Sequence, residues 1–229
     1  MRRRYLNEGY SGSSVVIGGV TWSATSIITD IYSGENYFAD KPETLGSMFQ
    51  WGRRYGAPSS SSTLVKDSKM TIDQGQLLSN SSKLVINSYS SSPSKYYYSW
   101  CSEIQSSRYP TLWTSSKGVY DPCPEGWRVP TYKEVGSLVN ASYREKGYLN
   151  DVLGVFIGDN ENESMFIPFQ PTISWGSLDS TFVQICSCTL NLNNTREEMS
   201  LQIFKNSLMF QYGEGVFPNM GGIIRAVKS

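Results

Sequence analysis

A single domain built from many short strands and little helix is the architecture this sequence predicts. Three observations predict it. Short apolar and β-branched stretches recur between clusters of Gly, Pro, Asn and Ser. One segment carries a complete helix-start signature. A long middle stretch is too polar and too serine-rich to build a second core.

In chain order, residues 13–28 read as β, with Val15-Val16-Ile17 and Val20-Thr21-Trp22 on either side of a Gly18-Gly19 turn. Residues 31–57 hold turns around an aromatic block at Phe49 and Trp51. Residues 58–117 form an insertion rich in Ser, Tyr and Asn. Its apolar pieces, Leu77-Leu78 and Leu84-Val85-Ile86, are too short for an independent core, so irregular loops packed on the main domain are expected. A helix at 131–140 follows, then strands at 152–157, 165–169, 182–192, 199–204, 207–212 and 223–227. The β-branched runs at the two chain ends need partners for their ladders. That need places the strand around 20–25 beside the closing strand 223–227.

The most constrained segment is Tyr120-Asp121-Pro122-Cys123-Pro124-Glu125-Gly126-Trp127-Arg128-Val129-Pro130. Proline fixes φ and removes a backbone donor, so this stretch is neither helix interior nor central strand. It reads as a stiff loop with Trp127 as its buried anchor. Thr131 then caps a helix and Glu134 closes the capping box, with Val135, Leu138 and Val139 on the buried face. Cys123, Trp127, Arg128, Thr131 and Glu134 are therefore assigned structural roles.

Composition narrows the function. Twenty basic and twenty acidic residues cancel, which gives no electrostatic reason to expect nucleic acid as a partner. No apolar stretch is long enough to span a bilayer. Histidine is absent, which removes Ser-His-Asp and Cys-His catalysis and His-ligated metal from the options. The four cysteines, Cys101, Cys123, Cys186 and Cys188, contain no C-x-x-C pair. Their even number fits an oxidising compartment and allows three full pairings, although Cys186 and Cys188, two apart, lack the geometry for an easy mutual bridge. Cys186 and Cys188 share one face of an expected strand, either as a copper or redox pair or as small buried side chains. The second reading is adopted, because a buried free cysteine behaves as a small hydrophobe.

The segment from Val119 to Val135 resembles the hallmark of the Fibrobacter succinogenes major paralogous domain. That hallmark also recurs in Bacteroidetes fimbrial-tip and fimbrillin-like surface proteins. Gly19-Val20-Thr21-Trp22-Ser23-Ala24-Thr25 is similar to the family's opening W-A-T strand. Phe38-Ala39-Asp40-Lys41-Pro42-Glu43 with Gly46-Ser47-Met48-Phe49-Gln50-Trp51-Gly52-Arg53 is similar to its G-x-x-Y-Q-W-G-R block. Phe166-Ile167-Pro168-Phe169 resembles its I-F-L-P-A strand and Gly222-Ile223-Ile224-Arg225-Ala226-Val227 its closing G-x-x-V-R-C-V strand. One block departs: the usual Y-W-S-S-T stands here as Gln184-Ile185-Cys186-Ser187-Cys188-Thr189. The resemblance implies a C-type lectin-like variant of the α+β class. It implies one such domain over 15–229, carrying the 58–117 insertion, after a flexible lead-in at 1–14. It also implies export, by a signal peptide not present in this chain, to an extracellular or outer-membrane surface as a secreted protein or lipoprotein. Met1-Arg2-Arg3-Arg4 has the charge of a signal sequence, but the residues that follow lack its apolar stretch.

Three places carry candidate function. Tyr96-Tyr97-Tyr98-Ser99-Trp100 is either an aromatic platform for a sugar ring or packing for the insertion, and packing is preferred. Asp159-Asn160-Glu161-Asn162-Glu163 is rich in oxygen, yet lacks calcium-loop spacing and reads as a solvated hairpin tip. Loops at 170–181 and 211–222 would lie on the ligand side of a lectin-like fold, with Trp175, Asp179, Tyr212 and Asn219 as exposed ligand-binding candidates. The expected function is a non-enzymatic adhesin-like or fimbrial-tip module contacting glycan, host protein or another pilin. It needs no metal and no cofactor. The alternative is an enzyme on the same fold, a formylglycine-generating-type oxidase.

Overall fold

Glycine and asparagine turns cut the strands short, so the chain closes several small sheets instead of one wide one. The computed structural model describes residues 2–4, 14–59, 63–66, 68–86, 99–174, 177–191, 197–216 and 220–229. The first strands are β1 (Arg2–Arg4), β2 (Ser14–Ile17), β3 (Val20–Ser23), β4 (Ile27–Thr29), β5 (Asn36–Phe38) and β6 (Phe49–Gln50). β7 (Thr63–Lys66), helix α1 (Ile72–Gly75) and β8 (Lys83–Ile86) lie in the insertion. β9 (Trp127–Arg128) leads into helix α2 (Tyr132–Val139). β10 (Tyr143–Leu149), β11 (Val152–Gly158) and β12 (Ser164–Pro168) make a meander. Then come β13 (Thr172–Ser174), β14 (Ser177–Asp179), β15 (Phe182–Ile185) and β16 (Leu190–Asn191). β17 (Glu197–Phe204), β18 (Phe210–Val216), β19 (Gly221–Gly222) and β20 (Val227–Lys228) complete the chain.

The result is α+β in class: small, mostly antiparallel sheets with two short α-helices among the described residues. The expected closure of the chain ends is present. β20 lies between β3 and β9, with Val227 opposite Trp22 and opposite Arg128. Ser23 N donates to Ala226 O at 2.8 Å, and Ala226 N returns a bond to Ser23 Oγ at 2.9 Å. Residues 2–4, expected within a flexible lead-in, instead lie parallel to β10 as a strand.

Two large apolar clusters hold the sheets together. One gathers Trp22, Val135, Leu138, Val155, Ile167, Leu201 and Ile203 around α2. The other joins Phe49, Trp51, Trp127 and Val129 to Ile72, Val85, Trp100, Tyr109 and Trp113 of the insertion. Trp100 Nε1 donates to Trp51 O at 2.7 Å, tying the two parts. Two arginines are wholly buried and serve backbone carbonyls. Arg53 donates to the carbonyls of Gly75, Asn80 and Lys83, and Arg225 to those of Ala24 and Phe166. Burial pushes the Arg53 guanidinium down to about 10.

Several expectations need correction. The strand expected at 182–192 stops at Ile185, because Cys186 N turns to Ile223 O and Cys188 N to Pro130 O. The strand expected from 207 begins at Phe210, since Leu208 sits at φ 53 within a turn. The closing strand divides: Gly221–Gly222 pairs with β6 and β13, and Val227–Lys228 with β3 and β9. Both stretches expected as ligand loops contain strands, β13 and β14 in one and β18 with β19 in the other. β10 itself was not expected; its polar sequence is held against β11 through Asn150 and Asp151, both at positive φ. In the insertion, β7 and β8 pair in parallel and Thr71 with Gln74 makes a capping box on α1.

Candidate binding cleft

Strand alternation sorts the side chains of β17 onto two faces. Leu201 and Ile203 turn toward α2 and its apolar cluster. Ser200, Gln202 and Phe204 lie on the other face. On that face β15 places Gln184 opposite Gln202 and Phe182 opposite Phe204, while β18 places Gln211 opposite Gln202. The β13–β14 hairpin and Met220 close over it, leaving a cleft of about 300 Å3. Its polar lining is Ser174, Asp179, Thr181, Gln202 and Gln211. Phe182 and Phe204 form the apolar wall, with ring centroids 5.3 Å apart. Asp179 Oδ1 is fixed by Thr181, accepting from its N at 2.8 Å and its Oγ1 at 2.6 Å. The amides of Gln202 and Gln211 make no hydrogen bond to the described residues.

Behind the cleft the polar row continues inward. Gln184, Ser200 and Glu198 are fully buried. Glu198 Oε1 accepts from Ser187 N at 3.3 Å, while among the described residues Oε2, Ser200 Oγ and both amide atoms of Gln184 have no geometric hydrogen-bond partner. Cys186 Sγ lies between Phe49 O, to which it donates at 3.7 Å, and the Glu198 carboxyl, with which it also interacts. Burial pushes Glu198 up to about 8.

Of the expected site residues, the two that the structure describes, Asp179 and Tyr212, are not brought together. Asp179 lines the cleft, half-buried. Tyr212 does not stand exposed on a ligand loop; it lies in β18 on the opposite face, because neighbouring residues of a strand alternate. Its ring stacks on Tyr132 at 4.0 Å and its hydroxyl donates to Tyr132 O at 2.8 Å. Trp175 and Asn219 fall outside the described residues, as do Tyr96, Tyr97 and Tyr98. Ser99 and Trp100 are buried in the core. The oxygen-rich turn is the β11–β12 hairpin tip, and its side chains bond locally or to Gly18 N. No group of three metal-ligating side chains occurs among the described residues. All four cysteines are buried thiols. Burial pushes Cys188 up to about 12 and Cys101 to about 11, with Cys123 and Cys186 also raised.

The structural assignments take shape around α2. Thr131 and Glu134 form the capping box, Arg128 bridges to Glu134 at 2.5 Å, and Trp127 is only 8% exposed. Cys123 N donates to Asp121 Oδ1, and Val129 N to Asp121 Oδ2. Val139 is half-buried, whereas Gly136 completes the buried face. A larger groove of about 690 Å3 runs between Gly18, Val20, α2 and Tyr212. Its polar side chains are largely committed: Ser137 accepts from Trp22, Thr131 and Glu134 cap the helix, and Tyr212 bonds to Tyr132. The smaller cleft is the better enclosed site: its two glutamines have no partner among the described residues and stand beside an aromatic wall, whereas the groove's remaining polar groups, Lys133 and Asn140, are exposed.

Gln202 and Gln211 were missed by sequence reasoning. The available signal was the alternation in β17, where Ser200 and Gln202 interleave with the apolar Leu201 and Ile203. No protein-family model, no curated protein and no solved structure matches this chain.

Proposed function

We propose that this chain is a non-enzymatic recognition module of the C-type lectin-like class, displayed at a cell surface in the manner of an adhesin or fimbrial tip. It holds a polar ligand in the cleft between the β13–β14 hairpin and the β15–β17–β18 sheet. The observation that carries this reading is the pair of amides, Gln202 and Gln211, without a partner among the described residues and beside an aromatic wall. Amphipathic pockets with a few convergent polar groups are what small-ligand recognition uses. Cysteine chemistry is disfavoured on physical grounds, because the nucleophile and metal ligand is the thiolate, and burial raises Cys186 and Cys188 away from it.

The test is a binding screen against glycans and surface proteins, comparing the parent with Thr181→Trp. Thr181 is exposed at the cleft, so the indole fills the opening without entering the core. Binding is expected to weaken about tenfold or more, with cooperative melting retained. Equal binding by both proteins would move the site elsewhere.

A further inference from the structure

We propose that the cleft receives a primary ammonium group on an unbranched apolar stem, as a lysine side chain or a free alkylamine presents it. This rests on the cleft being the recognition site. The two glutamine amides do not choose a ligand by themselves, since each offers a carbonyl acceptor and two N–H donors. The Asp179 carboxylate chooses the sign. It is half-buried, and no other ionisable group lines the cleft among the described residues. A ligand seated here takes water from that carboxylate. A neutral ligand returns no counter-charge, and an anion adds a like charge.

Hydrogen-bond geometry chooses the kind of cation. Thr181 N and Thr181 Oγ1 both donate to Asp179 Oδ1, at 2.8 and 2.6 Å, which uses that oxygen's two lone pairs. Only Oδ2 is left without a partner among the described residues. A guanidinium needs both oxygens for its two parallel bonds, whereas an ammonium is a point charge with three donors. One donor serves Oδ2. Gln202, Gln211 and Ser174 line the same cleft, and their side-chain oxygens can accept the other two. The stem has its own wall. Phe182 and Phe204 stand with ring centroids 5.3 Å apart, and Met220 completes the apolar side. Methylene stems of charged side chains cover such surfaces, and aromatic faces attract a cation. Size limits the guest: about 300 Å3 lies at the low end of the roughly 300–1,000 Å3 of small-molecule sites. One side chain fits better than a peptide strand.

The experiment uses the full chain at about pH 7, where an alkylamine is charged. The probes are the Nα-acetyl methyl amides of lysine, arginine, norleucine and glutamate, and pentylamine. Saturation-transfer NMR and titration read binding to the parent, Asp179→Asn and Thr181→Trp, each checked for cooperative melting. The lysine probe should bind, the norleucine and glutamate probes should stay silent, and the arginine probe should bind about tenfold more weakly. Asp179→Asn keeps the shape and removes the charge. It should weaken lysine binding about tenfold, the scale of one charge-assisted hydrogen bond. Pentylamine as tight as the lysine probe would assign a free amine as the ligand; a tighter lysine probe would assign a lysine of a partner protein. Silence of both amines, equal binding of the norleucine, glutamate or arginine probe, or parent-like binding by Asp179→Asn would overturn the ammonium assignment. The cleft would stand in each of those cases if Thr181→Trp still blocked the ligand found in the binding screen. Lysine binding unaffected by Thr181→Trp would overturn the cleft itself.

Discussion

Trp127 shows how much one side chain in a stiff loop can hold. Its ring meets Phe38 edge-on at 5.3 Å, and Lys228 Nζ lies 4.8 Å from the ring centre, so loop, hairpin and closing strand converge on it. Trp127→Ala should cost about 3–5 kcal/mol, as large aromatic truncations in cores do; chemical denaturation measures it, and a loss near zero would remove the anchor. Glu198 supplies a second residue-level prediction. Burial raises its carboxyl from 4.5 to about 8. Across that window the folded state binds the proton more tightly than the unfolded chain, so stability falls as pH rises, by about 1.4 kcal/mol per pH unit from this group alone. Glu198→Gln should therefore gain on the parent as urea melts move from about pH 5 to about pH 8. Parallel pH profiles for the two proteins would mean that Glu198 does not titrate in this way. Such a residue could not be found in the sequence, where Glu198 is one acid in an acid-rich stretch; only the ladder reveals which face it is on.

At the scale of elements, α2 is the part the chain announces most clearly. Its cap, its N3 glutamate and its apolar spacing lie within a few consecutive residues, so local rules suffice. Thr131→Ala removes the hydroxyl that accepts from Glu134 N and should cost about 1 kcal/mol. A thermal melt reads the change, and an unchanged Tm would mean the Arg128–Glu134 bridge alone fixes the helix start. Strands were harder to read. β10 is hidden because Arg144, Glu145 and Lys146 give it a polar sequence, and its ladder is set by the Asn150-Asp151 turn. Cys186 and Cys188 read as strand residues, yet their amides bond to Ile223 and Pro130, contacts distant in sequence. The cleft was missed for the same reason. Asp179 was legible as a polar loop residue, whereas the pairing of Gln202 with Gln211 depends on a register that no single stretch encodes.

The whole molecule is tied across its length. Trp51 and Trp113 pack with their rings 5.8 Å apart, and Trp51 and Tyr109 at 5.2 Å, so the insertion shares an apolar cluster with residues before and after it. A chain so joined should unfold in one transition, with calorimetric and van't Hoff enthalpies equal; two resolved transitions would show the insertion to be a separate unit. The pairing of Trp22 with Val227 was legible because the β-branched runs at both chain ends need ladder partners, and β3 and β20 supply one another with one of theirs. The central claim is recognition through the cleft, and side-chain amide NMR tests it most directly. Titrating the Nα-acetyl methyl amide of lysine into the labelled protein should shift the NH2 resonances of Gln202 and Gln211 together, saturably, and leave the Tyr132–Tyr212 stack undisturbed. Shifts confined to residues around α2 and Tyr212, with both glutamine amides unmoved, would contradict it.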